Sequence, residues 1–102
     1  MQLDDTRNLE VFQLCCDIID RTSSRLVDIT NDLHGLLPID TRKSLCDEGS
    51  RLIADISPCF KKASTLQSQL SGRLPYEAQK PFKQASDTFD AARRMFNIAQ
   101  QN

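Results

Sequence analysis

Four cysteines, one histidine and two pairs of adjacent carboxylates are the side chains of this sequence that could do chemistry. Cysteine and histidine bind zinc or act as nucleophile and base, but only where their spacing brings them together. Cys15 and Cys16 are adjacent, Cys46 and Cys59 lie far apart, and no C-x-x-C or cysteine–histidine pair occurs at a zinc-binding spacing. We therefore expect free thiols that pack as small apolar side chains, with no disulfide and no bound metal.

The single histidine, His34, precedes Gly35 at a predicted helix end, and no nucleophile motif surrounds it. We expect it to stabilise the negative end of the helix dipole. The acidic pairs Asp4-Asp5 and Asp47-Glu48 consist of neighbours, which a helix places on different faces. The sequence also has no glycine-rich loop that could bind phosphate. These observations predict a protein that is not an enzyme and that needs no cofactor.

Length and composition indicate a single globular domain. The 102 residues are 39% hydrophobic and 26% charged, which are ordinary globular values, and 3 glycines with 4 prolines are too few for the turns of an all-β fold. A net charge of −1 provides no field that would recruit nucleic acid. Without a signal peptide or a long apolar run, we expect a cytoplasmic domain of a longer protein that reaches membranes only through other regions.

A repeated turn motif divides the chain into three segments. The pattern L-x-G-x-L-P at residues 33–38 recurs 37 residues later at 70–75. Glycine can take the left-handed conformation that closes a helix, and proline prevents the helix from continuing. The motif therefore predicts helices at about 6–34, 40–70 and 78–100 with turns at 35–39 and 71–77. Tight turns between long helices give an all-α, antiparallel up-down-up three-helix bundle.

Apolar residues recur at helical spacing in all three segments. The third segment has phenylalanine at every seventh position, and we predict Phe89 as the central core residue. Gly49 lies within the second stripe and should admit a bulky neighbour at close range. Pro58 should kink the second helix rather than break it, and Pro81 should leave a loose or 3₁₀ first turn in the third. The stripes are Val11, Cys15, Ile18, Thr22, Leu26, Ile29 and Leu33; Leu45, Gly49, Leu52, Ile56, Cys59, Ala63, Leu66 and Leu70; and Phe82, Ala85, Phe89, Ala92, Phe96 and Ala99.

The first segment carries more apolar residues than one helix–helix contact needs. Phe12, Cys16, Ile19 and Val27 form a second ridge beside the predicted stripe. One interpretation is that the first helix contacts both other helices through a wide apolar face. The other is that the ridge is exposed and receives a partner helix.

The second interpretation predicts a partner-binding site on the first helix. Phe12, Cys16 and Ile19 would be its anchors, and the carboxylates of Asp17 and Asp20 would meet basic flanks of the partner helix. If the ridge is core instead, the next candidates for a partner site are the two apolar side chains outside the third stripe, Met95 and Ile98.

The third segment resembles the last helix of the N-terminal Habc domain of syntaxins. Phe89, Phe96 and Gln100 fall at the spacing of that family's F…F…Q stretch, and the pattern L-x-x-I-x-x-x-L at 26–33 is similar to its first helix. The resemblance covers most of residues 8–102. It implies a domain that folds back on a SNARE helix, or binds a regulatory partner, to control membrane fusion.

The same segment is also similar to the last helix of the GAT domain of clathrin adaptors. Ser86-Asp87-x-Phe89 followed by Arg94 corresponds to N-D-x-L followed by basic residues. That resemblance implies an adaptor domain that binds ubiquitin or a small GTPase. A third alternative is a scaffold bundle of the spectrin or focal-adhesion type. All three interpretations predict a protein partner and no binding of nucleic acid. In the first interpretation the partner is an amphipathic helix, such as a SNARE motif or a regulator.

Overall fold

The structure, a computed structural model, describes residues 3–70 and 76–101. Three long helices make up nearly all of these residues. Helix α1 spans Leu3–Leu33, α2 spans Ile39–Gln69 and α3 spans Tyr76–Gln101. The molecule measures 55 × 19 × 15 Å, so the helices run side by side along its length. The predicted all-α three-helix bundle is confirmed, and each helix boundary lies within three residues of its predicted position.

Helix α1 lies between the other two helices. It packs along both α2 and α3, whereas α2 and α3 approach each other at few points. The wide apolar face on α1 is therefore needed for two neighbours at once, which confirms the first interpretation of its excess apolar residues. The buried residues of α1 are Phe12, Cys15, Cys16, Ile19, Ser23, Leu26, Ile29, Thr30 and Leu33.

The stripe predicted for the first half of α1 was wrong in its phase. Ile18 and Thr22 are only half-buried, while Ile19 and Ser23 are completely buried. The Ser23 hydroxyl donates a hydrogen bond of 2.8 Å to the carbonyl oxygen of Ile19, and the buried Thr30 hydroxyl makes the same bond, also 2.8 Å, one turn back on its own helix. Because these bonds satisfy both hydroxyls locally, polar residues can occupy core positions that a search for apolar residues skips.

Gly49 has the role expected from the sequence. A Cβ atom added at Gly49 would overlap the Cε1 and Cζ atoms of Phe96, whose ring is completely buried. The absence of a side chain on α2 thus creates the space that the Phe96 ring of α3 occupies. This contact is the knob-into-hole packing that brings helices close together.

Two prolines lie inside helices. Helix α2 continues through Pro58, as expected, without a break. The loose or 3₁₀ turn expected before Pro81 was wrong, because α3 is α-helical from Tyr76. Pro81 is the sixth residue of α3, beyond the first four N–H groups that have no partner within the helix, so its missing N–H group removes one backbone hydrogen bond near the start of the helix.

The end of α1 closes through short-range backbone bonds. The backbone N–H groups of His34 and Gly35 donate to the carbonyl oxygens of Asn31 and Asp32 at 3.2 and 3.0 Å. Gly35 does not take the expected left-handed conformation. Bonds that reach back three residues satisfy these terminal carbonyls, so the left-handed closure is not required.

Helix α2 starts one residue earlier than predicted. The carbonyl oxygen of Pro38 accepts the first helical bond from the N–H group of Arg42 at 2.9 Å. Asp40 lies in the first turn, where its charge stabilises the positive end of the helix dipole. The second predicted turn, at 71–77, falls mainly on residues outside those that the structure describes.

Candidate functional site

Away from the close contact of Gly49 with Phe96, the interface between α2 and α3 is formed by aromatic rings. The ring of Phe60 on α2 lies 5.1 Å from that of Phe89 and 6.3 Å from that of Phe82, centre to centre. Phe82 in turn lies 5.8 Å from Phe12 on α1, so the row of rings connects all three helices. Large side chains bridge a wide gap between α2 and α3 and leave space on its outer side.

This space is a groove that follows the α2–α3 interface. Two open hollows of about 370 and 330 Å³ lie along it, and we call them together the α2–α3 groove. On α2 the hollows extend from Ile53 to Gln67, which is about 20 Å of helix. The larger hollow is lined by Ile53, Ile56, Ser57, Phe60, Ser86, Phe89, Asp90 and Arg93, and the smaller by Gln67, Gln79, Lys80, Lys83, Gln84 and Asp87.

Both walls of the groove have the residue spacing of a helix-packing surface. On α2 the groove residues Ile53, Ser57 and Phe60 follow at steps of 4 and 3 residues, and Gln67 follows 7 residues later. Repeated steps of 4 and 3 are the spacing at which one helix contacts another in a coiled coil. The groove residues of α3 with the same spacing are Gln79, Lys83, Ser86, Asp90 and Arg93.

The arrangement of the helices is that of a four-helix bundle with one position open. In such a bundle each helix contacts two neighbours, and helices on a diagonal lie apart. Helix α1 contacts α2 and α3 along its length, whereas α2 and α3 contact each other only locally, at Gly49 and Phe96 and at the rings of Phe60 and Phe89. The fourth position, opposite α1, is the α2–α3 groove, and within residues 3–70 and 76–101 no segment fills it.

The charged side chains that line the groove have a small basic excess. The lining contains three cations, Lys80, Lys83 and Arg93, and two anions, Asp87 and Asp90, all on α3. Arg93 and Asp90 lie 3.6 Å apart on the same helix, and both side chains are close to half exposed. An exposed pair of this kind is weak. Arg93 can therefore bind another carboxylate or a phosphate that enters the groove.

The partner site predicted on α1 is corrected by its burial. Phe12 and Ile19 have 0% and Cys16 has 3% of their surface exposed, so a partner helix cannot reach them in the folded domain. They pack in the core because α1 needs apolar side chains toward both α2 and α3. The exposed ridge that these three residues were expected to form is therefore wrong.

The carboxylates of that predicted site act on the buried thiols. Asp17 and Asp20 are exposed on α1, and whether they meet a partner's charges stays a prediction. Burial, Asp20, Cys15 and Asp17 together raise the pKa of the Cys16 thiol to about 11. Burial and the neighbouring Cys59 also raise the pKa of Cys15. Both adjacent thiols are thus held protonated, which makes them poor nucleophiles.

The remaining candidates for chemistry or membrane contact lie apart from one another. Cys46 and Cys59 are half-buried free thiols. Within residues 3–70 and 76–101, no group of three histidine, cysteine or carboxylate side chains is placed to hold a metal ion. Among the helices that the structure describes, none combines the length and the apolar character needed to cross a bilayer.

Met95 and Ile98, the alternative candidates, are exposed on α3. Their exposed fractions are 57% and 61%, and neither lines the groove. Leu36 and Ile39 are also exposed, at the connection between α1 and α2. Large apolar side chains on the surface often mark contact sites. Met95 and Ile98 therefore stay predicted partner-binding residues.

Arg42 is a structural residue that the sequence analysis did not identify. Its Nη1 donates to the carbonyl oxygen of Leu33 at 2.8 Å and its Nη2 to that of Ala99 at 2.9 Å. These carbonyls belong to the C-terminal ends of α1 and α3, where positive charge is favourable. One feature of the sequence could have indicated this role. An arginine in the first turn lies at the positive end of its own helix dipole, which is unfavourable, so its charge is expected to interact with another helix.

Arg25 and Glu48 form a second connection, between α1 and α2. Nε and Nη2 of Arg25 donate to the two carboxylate oxygens of Glu48 at 2.5 and 2.8 Å. These hydrogen bonds lower the pKa of Glu48 and raise that of Arg25. The pair lies on the surface outside the groove lining, where ion pairs add little stability.

Comparison of the chain with protein-family models, with curated proteins and with solved structures found no match. The resemblances to syntaxin Habc domains and to GAT domains therefore stay predictions that depend on the residues named above.

Proposed function

We propose that this domain is a non-enzymatic protein-interaction module that takes up an amphipathic partner helix in the α2–α3 groove. The observation that carries the proposal is the pair of groove walls, on α2 and α3, with the residue spacing of a helix-packing surface. A helix bound there would contact both walls and lie diagonally opposite α1. It would complete a four-helix bundle.

The lining of the groove defines the chemistry of the partner helix. Ile53 and Phe60 are half-buried and offer apolar contact to a partner with apolar residues at i, i+3 or i+4, and i+7. Ser57 and Ser86 are small and stand on opposite walls, which leaves room for large partner side chains. The basic excess of the lining favours acidic flanks on the partner. This differs from the α1 hypothesis, which required basic flanks.

The resemblance to syntaxin Habc domains suggests a setting for this module. We propose a regulatory domain of a cytoplasmic membrane-trafficking protein, whose partner helix is a SNARE motif or a regulator. Binding of such a helix would withhold it from other complexes, and the protein would reach the membrane through regions outside this chain.

A second candidate function is an adaptor domain that binds ubiquitin or a small GTPase. One observation favours it: Met95 and Ile98 form an exposed apolar pair three residues apart on α3, outside the groove lining. A pair of this kind suits a small apolar patch on a folded partner rather than a helix lying lengthwise. The two functions thus use different surfaces, and substitutions can separate them.

Binding of labelled helical peptides, measured by fluorescence anisotropy, tests the proposal. The panel contains SNARE-motif sequences and designed amphipathic helices with either acidic or basic flanks. We expect the acidic-flanked helices to bind more tightly. Ser57→Glu should weaken binding about tenfold or more, because it places bulk and negative charge in the middle of the groove. Ser24→Glu, an exposed position on α1 outside the groove lining, is the matched control and should bind as the unmodified protein does.

Two other results would separate the alternatives. Equal binding by the unmodified protein and Ser57→Glu would place the partner site outside the groove and contradict the proposal. Loss of ubiquitin or GTPase binding in Met95→Glu/Ile98→Glu, with unchanged peptide binding, would support the adaptor function instead.

A further inference from the structure

We propose that Ser57 is a phosphorylation site for a proline-directed kinase and that its phosphate binds Arg93 across the α2–α3 groove. The regulatory consequence, closure of the groove to a partner helix, rests on the function proposed above. The contact between phosphate and Arg93 does not depend on that function and can be tested without a partner.

Sequence and exposure select this serine. Ser57-Pro58 is the one place in the chain where a serine or threonine precedes proline, and Ser57 is exposed on α2. Proline-directed kinases require that pair of residues in an extended conformation. The acceptor is therefore chemically suitable, but it lies within a helix, so the helix must open locally.

Pro58 makes local opening easier at this point than elsewhere in α2. Proline disfavours the α-helical conformation of the residue before it, which is Ser57. It also has no N–H group, so the carbonyl of Ala54 has no bond from the position four residues later. A turn with fewer hydrogen bonds opens at lower cost than the rest of the helix. The kinase can therefore gain access to Ser57 without unfolding the bundle.

The transfer itself needs only ATP and the kinase. The Ser57 Oγ atom attacks the γ-phosphorus of ATP, the new bond joins Oγ to phosphorus, and the bond between that phosphorus and the β–γ bridging oxygen breaks. ADP leaves with this oxygen, and the serine proton passes through a carboxylate of the kinase to solvent.

The groove holds a cation that suits the product. Phosphoserine carries a charge of about −1.5 to −2 at pH 7, and arginine binds phosphate through two parallel hydrogen bonds. Arg93 lines the same hollow as Ser57, and its existing partner Asp90 lies 3.6 Å away in a weak, exposed pair. Lys61, four residues after Ser57, adds a second cation on the same helix face. The phosphate should therefore displace Asp90 from Arg93.

A phosphate at Ser57 would occupy the middle of the groove. A partner helix in that position would have to bury the phosphate against its apolar ridge, which is highly unfavourable. Its acidic flanks would also be repelled. Phosphorylation is thus expected to release or exclude the helix that the unmodified groove binds.

Kinase assays on the full chain test the site. A proline-directed kinase with ATP should add one phosphate to the folded protein and none to Ser57→Ala. Pro58→Ala improves the helix and removes the recognition pair, so it should also remain unmodified. A folded protein that resists the kinase, while an unfolded peptide covering residues 50–65 is modified, would overturn the proposal.

Titration of the phosphorylated protein by phosphorus NMR tests the contact with Arg93. A nearby cation favours the dianion, so the second pKa of phosphoserine 57 should rise by roughly half a unit when Arg93 is changed to Gln. Arg93 is almost half exposed, so Arg93→Gln should stay folded. The same pKa in both proteins would overturn the contact.

Peptide binding then separates this inference from the proposed function. A helix that binds the unmodified protein but not the phosphorylated one supports closure of the groove, and equal binding to both overturns it. If no helix binds even the unmodified protein, the proposed function fails, whereas a phosphate contact with Arg93 measured by NMR still stands.

Discussion

Helix α3 contacts α1 closely on one side and leaves a groove toward α2 on the other. Ala85, Ala92 and Ala99 recur every seven residues on α3, and all are buried in one cluster with apolar side chains of α1. On its groove side the corresponding residues are polar and include Ser86 and Arg93. Small apolar residues let two helices approach, whereas polar residues there keep an interface hydrated and open. The comparison shows how one helix can contribute to the core and still offer a binding surface.

The largest expected difference in stability is between a carboxylate placed in the core and one placed on the groove wall. Ile19→Asp should unfold the domain, because it buries an unpaired charge at a position with 0% exposure, at a cost of several kcal/mol. Ser57→Asp, on the groove wall, should change stability by no more than about 0.5 kcal/mol. Urea denaturation followed by circular dichroism measures both. A well-folded Ile19→Asp protein would contradict the burial of α1.

Phenylalanine truncations compare a buried ring, Phe89, with a half-buried ring, Phe60, of the same aromatic row. Phe89→Ala should cost about 3–5 kcal/mol, since the ring is buried in the main cluster. Phe60→Ala should cost roughly half as much, because the Phe60 ring is only half-buried at the open interface. Denaturation midpoints give both values. A loss below about 1 kcal/mol for Phe89→Ala would mean that α3 presents a different face to the core.

A single added methyl group tests how tightly the closed part of the core is packed. Gly49→Ala should destabilise by about 1–2 kcal/mol, because the overlap with the Phe96 ring outweighs the gain in helix propensity. Ser50→Ala, the exposed neighbour, serves as the control and should be neutral or slightly stabilising. Gly49→Ala/Phe96→Leu should lose less stability than the sum of the two single changes, because the smaller side chain removes the overlap. A stabilised Gly49→Ala protein would indicate that the ring can move aside.

A smaller expected effect is the loss of folding stability at alkaline pH that comes from the buried Cys16 thiol. The pKa of Cys16 rises from 9.0 to about 11 on folding, so the unfolded chain loses this proton first. The contribution of the protonated Cys16 thiol to the stability of the folded protein is complete below pH 9. It is lost as the pH rises toward 11, by on the order of 1–2 kcal/mol. Cys16→Ala should lose less stability than the unmodified protein over that range. Identical losses in denaturation curves would contradict the burial of this thiol.

Much of the fold was predictable because local signals agreed with the tertiary structure. The glycine–proline motif located the first turn, and the heptad of phenylalanine and alanine identified the buried face of α3, including Phe89. Gly49 was predictable because a glycine in an apolar stripe has few other uses. These local sequence patterns predicted the structure well where one face of a helix packs against a single neighbouring helix.

The phase of α1 was not predictable in the same way. Its two neighbours require two adjacent apolar ridges, so a single stripe could be drawn through either, and Ser23 and Thr30 interrupt the correct one. The exposed ridge was inferred from that excess and proved to be core. Contact with both α2 and α3 is a tertiary property that periodicity within one helix does not contain.

The α2–α3 groove was not predicted from the sequence either. Its walls are half-buried and mixed in polarity, with residues such as Ser57 and Arg93, so they show neither an apolar stripe nor a charge cluster. The rings of Phe60, Phe82 and Phe89 lie between α2 and α3 at the groove; Phe82 and Phe89 were predicted only as core residues, and the sequence analysis assigned Phe60 no role.

Methyl NMR of the seven isoleucines tests most directly whether the α2–α3 groove is the binding surface. Ile53 and Ile56 line the groove, Ile19 lies in the core, and Ile98 is on the other surface of α3. On titration with an acidic-flanked amphipathic helix, the signals of Ile53 and Ile56 should shift, and the half-buried Ile53 should lose its broadening by a paramagnetic cosolute, while Ile98 stays unchanged. Shifts at Ile98 with none at Ile53 and Ile56 would contradict the account and place the partner on the outer face of α3.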